Sequence, residues 1–360
     1  MNNLHNDPDL PQAWAPWFSH EYITYFAVRA LDGLTSLPPV AVKARPPFGD
    51  KVWPVGPNHI DIYKESYQEI RRLDPLWSFD YKKRNGDFAL EPPSGKTIEP
   101  WKVLVIYSTE PDLYLDHDLA VHKNQKITGG SHGWRHMEFR LLTSTFGAAP
   151  QSFRVHKDFA SLAFENGNDY WGWRYLSRCC HYLADLGSPF HVRALPAFFL
   201  MKNIFSGQTL FKTASAVHQS YEVYVERRFR EGFRPFGEAL SRGACVGRSA
   251  SGDVSSLLPD YMKKARKKFN PVFYFFLEQY GRDLLDVFGR VDPNGPSETA
   301  AQTNQCSADA ARVIFRDGAL PALAFLDGIT AGILEDVGRM LGMLFQSFAE
   351  KRGTQHLIRD

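Results

Sequence analysis

The stretch that decides how the chain is read is His181 to His191, HYLADLGSPFH. His181 and Asp185 stand four residues apart, so on a helix their side chains share one face, a turn from each other. Gly187 and Pro189 then end the helix, because Gly relaxes the backbone and Pro forbids the next intrahelical bond. The turn carries His191 back towards the same spot. Two imidazoles and a carboxylate on a helix end and its following turn are suitable zinc ligands. HQSYE repeats the pattern, with His218 and Glu222 again four apart. A lone helical histidine is more often a satisfied core or surface residue than a ligand. Two such pairs with a turn histidine favour a metal site.

The bulk properties bound the rest. A chain of 360 residues holds one large domain or two of ordinary size, and 44% apolar with 14% aromatic content allows a sizeable core. The net charge of +2 argues against a protein that coats nucleic acid, while leaving local basic patches open. The four cysteines, Cys179, Cys180, Cys245 and Cys306, contain no C-x-x-C and are expected as reduced, buried thiols; a Cys245–Cys306 disulfide is open to test. The first 20 residues lack a basic start followed by an apolar core, so no secretory signal is read and a cytoplasmic protein is expected. A secreted or periplasmic location follows if the start is misassigned. No run supplies the roughly 18–20 apolar residues that span a bilayer. The best stretch, Gly318 to Phe348, is interrupted by Asp327, Glu335 and Asp336.

Taken in order, residues 1–16 carry Pro8, Pro11 and Pro16 and read as a flexible arm. Trp17 to Leu34 reads as a helix capped by Ser19, with His20 in its first turn either solvated or aimed inward as a ligand. Residues 38–100 form a Pro-rich insertion or lid with one amphipathic helix near Ile60 to Leu73. WKVLVIYS, 101–108, is a strand or the start of a buried helix. It leads to the acidic EPDLYLDHD, 110–118, and then to the histidines of GSHGWRHMEF, 130–139.

Phe153 to Phe164 is a short helix, and Asp169 to Leu186 a long amphipathic one. Ala194 to Ala216 is an apolar connection, and Val217 to Phe229 the helix that carries His218 and Glu222. A Gly/Ser-rich loop is expected at 242–256, then a basic helix start MKKARKKF, an aromatic helix PVFYFFLEQY and a last core helix from Ala319 to Phe348. The fold class is all-α: a single, mostly helical domain over 17–350, followed by a tail at 351–360.

These residues resemble the zinc-dependent phospholipase C/P1 nuclease family. HYL-x-D-x5-H is matched by His181, Asp185 and His191, and HQSYEVYVERR is similar to the corresponding helix of the clostridial alpha-toxin branch. HEYITYFAVRAL, EPD and the DGITAG of the last helix are similar to further family segments. The resemblance spans roughly residues 17–345.

It implies an all-helical domain of that type with two or three zinc ions (Zn2+). Asp185 would bridge two of them. His181 would share one with Asp112 and a histidine of GSHGWRHMEF. His136 is favoured there, because HMEF is similar to the family segment, with His132 as the alternative; Asp116 competes with Asp112. His191, His218 and Glu222 would hold the second zinc and His20 the third. Asp112 would also serve catalysis, as ligand or by orienting the attacking water. Secreted members complete the third site with a mature N-terminal Trp. Here Trp14 and Trp17 are internal, so that chelate is expected to be missing.

The function implied is hydrolysis of a phosphodiester, with phospholipid and nucleic acid competing as substrates. Phe198, Phe199, Leu200, Met201 and Phe205 favour lipid and a peripheral membrane contact. Trp171, Trp173, Arg135 and MKKARKKF are what a single-strand nuclease would use. A non-catalytic helical zinc-binding protein is the rival from another class. A carboxylate-bridged di-iron bundle lacks its E-x-x-H pairs here.

Overall fold

The computed structural model describes residues 19–43, 97–113, 131–141, 143–202, 207–250, 252–288, 300–316 and 320–351. In chain order these form α1 (His20–Arg29), α2 (Asp32–Thr35), α3 (Pro100–Tyr107) and a 3-10 turn (Glu110–Leu113). Next come α4 (Ser131–His136), α5 (Ala149–Glu165), α6 (Asp169–Gly187), α7 (Pro189–Val192) and α8 (Ala197–Lys202). The last are α9 (Gly207–Arg230), α10 (Arg234–Arg248), α11 (Val254–Phe288), α12 (Ala300–Ile314) and α13 (Leu320–Lys351). Two antiparallel strand pairs complete them: β1 (Val40–Ala41) with β2 (Thr97–Ile98), and the hairpin β3 (Glu138–Leu141) with β4 (Ser144–Gly147). The chain is an all-α single domain, as the helical periodicities imply.

At the centre of the site lies α6, packed against α5, α3, α13, α11 and α1. Asn168 caps it by accepting the Trp171 N–H at 3.3 Å, and Pro189 at the first position of α7 forces the break after it. The expected amphipathic character is corrected: every residue from Tyr170 to Gly187 is buried, because α5, α3, α11 and α13 cover it on different sides. A helix buried all round must satisfy its polar side chains internally. Arg174, Arg178, His181 and Asp185 recur at spacings of four, three and four, so they form one polar stripe inside the core.

Several expectations need correcting. The helix read from Trp17 to Leu34 is two, α1 and α2, because Leu31 leaves helical geometry at φ −120°, ψ 83°. Ser19 stands at the first cap position but its side chain makes no cap bond. WKVLVIYS is a buried helix with Pro100 at its start. The short helix at 153–164 extends to Ala149–Glu165. The connection 194–216 is helical over α8 and the first turns of α9. The basic and aromatic helices are one, α11, with Pro271 inside it.

The Gly/Ser loop expected from 242 is helical through Arg248. Its glycines serve close approach. A Cβ on Gly243 would sit 2.1 Å from the Glu335 carbonyl oxygen of α13, and one on Gly247 2.0 Å from that of Arg339. Gly338 and Gly342 of α13 return the contact against Leu240 and Ala244. Four glycines thus let two helix backbones touch.

The ends of the 38–100 insertion are joined by the β1–β2 pair, with Val40 opposite Ile98. Most of the insertion, including the helix expected near Ile60 to Leu73, lies outside the described residues, as do the 1–16 arm and the tail beyond Lys351. All four cysteines are free thiols, Cys179 and Cys180 buried, Cys245 exposed and Cys306 half-buried, so Cys245 and Cys306 are not bridged. Among the described residues no helix is long and apolar enough to cross a membrane.

Candidate metal centre

The lower end of the α6 stripe meets three other segments. His181 donates its Nδ1–H to the Ser108 carbonyl at 2.8 Å, which fixes the ring and turns Nε2 inward. That Nε2 lies 2.9 Å from His136 Nδ1, 3.2 Å from Asp185 Oδ2 and 3.6 Å from Asp112 Oδ1. His136 Nδ1 is in turn 2.9 Å from Asp185 Oδ2 and 3.6 Å from Asp112 Oδ1. Zinc–ligand bonds of about 2.0–2.2 Å in a tetrahedron put ligand atoms about 3.3–3.6 Å apart. The five separations scatter around that spacing, so four side chains from α6, α4 and the 3-10 turn could hold one such ion.

A second group adjoins the first. His191 donates Nδ1–H to the His136 carbonyl at 2.8 Å and approaches Asp185 Oδ1 at 3.3 Å. Its Nε2 is 3.3 Å from Glu222 Oε1, and His218 Nε2 is 2.9 Å from the same oxygen. Phe190 stacks on the His218 ring at 5.6 Å and meets Phe269 at 5.2 Å, so α11 supports this end of the site. On the other side His20 Nε2 is 3.6 Å from both Asp112 Oδ2 and Asp185 Oδ1, with its ring stacked on His181 at 3.8 Å. Asp112 and Asp185 therefore each turn one oxygen towards His136 and His181 and the other towards His20. Three sets of ligand atoms, each within 4.8 Å, share one volume.

The donor chemistry fits a cation. His20 Nδ1 and Glu222 Oε2 are buried with no hydrogen-bond partner, a costly state for polar atoms that a bound ion nearby would reorganise. Burial pushes the carboxyls up, yet the charges of His191, His181 and His136 hold Asp185 well below the usual range. Burial likewise opposes Glu222, and His218 and His191 bring it down to about 2. His191 would be lowered by burial but rises to about 9 beside Asp185 and Glu222. Burial and the His181 charge press His20 down to about 3, and burial lifts Asp112 to about 7. A metal bound among these imidazoles and acids would displace the protons that the imidazoles carry.

Of the residues expected at this centre, His20, Asp112, His136, His181, Asp185, His191, His218 and Glu222 are brought together. Between the alternatives, His136 and Asp112 are in the cluster. His132 belongs to α4 but its side chain lies outside the described ones, and so does all of Asp116. Three residues named for a nuclease are not available to a substrate, since Trp171, Trp173 and Arg135 are all buried. Sequence reasoning missed Ser108, whose carbonyl orients His181, and the buried Glu110 with its partners Arg174 and Arg178. The i, i+4, i+7, i+11 recurrence of Arg174, Arg178, His181 and Asp185 was the available signal. No family model, no curated protein and no solved structure matches the chain.

Proposed function

We propose that the chain is a zinc-dependent phosphodiester hydrolase of the phospholipase C type. The reading is carried by His136 Nδ1 and His181 Nε2, 2.9 Å apart and each 2.9–3.6 Å from Asp185 Oδ2 and Asp112 Oδ1, beside a second set of three ligands. His136, His181, Asp112 and Asp185 would hold one zinc, and His191, His218 and Glu222 another. His20, with the second oxygens of Asp112 and Asp185, would hold a third. Bound there, zinc supplies a Lewis acid for phosphoryl oxygens and acidifies water towards a pKa of ~7.

The protein's own groups do the rest. The Ser108 and His136 carbonyls lock His181 and His191 through Nδ1, leaving each Nε2 aimed at the centre. Asp112, beside His136 and His181, would complete the ligand set and orient the attacking water through its carboxylate. Glu222 and His218 keep some exposure, so the substrate enters on their side.

A phospholipid is favoured over nucleic acid. Phe198 and Met201, each 67% exposed, stand three apart on α8 beside the exposed Lys202, while Trp171 and Trp173 cannot stack with bases. The nuclease reading retains the exposed Lys263, Lys267 and Lys268 of α11. Elemental analysis of the purified protein is the first test, with two or three zinc ions per chain expected. Diacylglycerol release from phosphatidylcholine is then compared with digestion of single-stranded DNA, before and after chelation. Hydrolysis of the lipid that chelation abolishes is expected. DNA digestion alone would move the substrate to nucleic acid. One tightly held zinc with neither activity would overturn the enzyme and leave a zinc-binding protein.

A further inference from the structure

The upper half of the α6 stripe is as unusual as the lower. Glu110 is fully buried, and both its oxygens face arginines: Arg174 reaches Oε1 through Nε at 2.7 Å and through a terminal nitrogen, while Arg178 Nε reaches Oε2 at 2.7 Å. The Arg174 guanidinium lies 4.2 Å from the centre of the Tyr107 ring and 4.5 Å from that of Trp171, and the Tyr107 and Tyr170 hydroxyls meet at 2.7 Å. Two buried cations on one carboxylate make a poor source of stability, because desolvation offsets most of the attraction. A fork that grips one carboxylate from two directions does fix where its backbone lies.

That backbone belongs to the site. Glu110 stands between Ser108, whose carbonyl accepts the His181 Nδ1–H, and Asp112, whose oxygens lie 3.6 Å from His20, His136 and His181. Within five residues the chain orients one imidazole, inserts a pin into α6 and delivers a carboxylate. Arg174 and Arg178 share the α6 face with His181 and Asp185, so pin and ligands are read off one rigid helix.

We propose that Glu110, Arg174 and Arg178 are positioning residues of the metal centre: they lock the Ser108–Asp112 turn in register along α6, so that Asp112 reaches the ions. This rests on the metal-centre reading above. A displaced Asp112 would weaken the zinc shared by His136, His181 and Asp185 and the one held with His20, and leave that of His191, His218 and Glu222 in place. Outer contacts of this kind typically change metal affinity by about 10- to 100-fold.

The test compares Arg174→Lys, which keeps the charge and loses the fork, with Glu110→Gln and Asp112→Asn. Each protein is checked for folding by circular dichroism and titrated with zinc against a chromophoric chelator. The visible spectrum of the cobalt-loaded form reports coordination. Expected are folded variants in which the zinc that Asp112 helps to hold binds about 10- to 100-fold more weakly, while that of His191, His218 and Glu222 is unchanged, with the cobalt spectrum altered in the same sense as in Asp112→Asn. Arg174→Lys with wild-type zinc affinity and cobalt spectrum, whatever its melting temperature, would overturn the proposal and leave a purely structural tie. If Glu110→Gln does not fold, Arg174→Lys decides alone. Wild-type protein that takes up no zinc would instead remove the metal-centre reading, and this proposal with it.

Discussion

Asp185 Oδ2 and His136 Nδ1 lie 2.9 Å apart, although 49 residues separate them in the chain. The other oxygen of Asp185 is 3.3 Å from His191 Nδ1 and 3.6 Å from His20 Nε2. One carboxylate is therefore common to imidazoles from α1, α4, α6 and α7. Asp185→Asn keeps the shape and removes the charge that the shared position needs. The variant should lose zinc and hydrolysis together, with at least one ion fewer per chain by elemental analysis. Full zinc content in the folded variant would show that Asp185 bridges nothing.

In the proposed reading Asp112 completes the ligand set and orients the attacking water. Its replacement by Asn should lower turnover by about 10²-fold, the usual cost of a misplaced reacting group. The measurement is kcat on a soluble phosphodiester at saturating zinc, so that weakened ligation is not mistaken for lost chemistry. Turnover at the wild-type level would take Asp112 out of the reaction.

Much of this was legible because local spacing encodes it. His181 with Asp185, and His218 with Glu222, are set by the helical period, and Pro189 makes the break that places His191. What joins distant segments was not legible. Nothing in the spacing of Glu110 announces arginines 64 and 68 residues away, and the choice of His136 came from similarity to a family segment rather than from period. The misread loop at 242–256 has a physical cause as well. Gly243 and Gly247 look like breakers until the opposing Gly338 and Gly342 are seen, because a helix crossing removes side chains as surely as a turn does.

That crossing can be tested. A Cβ at Gly243 would collide with the α13 backbone at 2.1 Å, and a helix backbone cannot swing aside as a side chain does. Gly243→Ala should therefore destabilise the fold by about 1–3 kcal/mol, even though Ala is the better helix former. Urea unfolding of the zinc-free protein measures it. A variant as stable as wild type would mean that α10 and α13 are not in backbone contact.

The pH dependence of zinc binding follows from the protons that the metal must displace. His191 is held protonated up to about 9 by Asp185 and Glu222 against the effect of burial, from an ordinary value of 6.5. Zinc takes the neutral imidazole, so below about pH 9 binding must expel this proton, and affinity should rise by up to tenfold per unit towards that value. The stability of the zinc-free protein runs the other way. A histidine whose folded pKa is raised contributes stability in full below 6.5, and loses it as pH climbs through 9. Glu222, brought down to about 2 from 4.5, contributes above 4.5 and loses its share only as pH falls through 2, so it is constant across the neutral and alkaline range. Between pH 6.5 and 9 the zinc-free form should therefore weaken while zinc binds more tightly. The rise in melting temperature on adding a fixed free zinc concentration should widen steadily across that window. A zinc-induced shift that stays flat or narrows from pH 6.5 to 9 would mean that His191 carries no proton for the metal to replace.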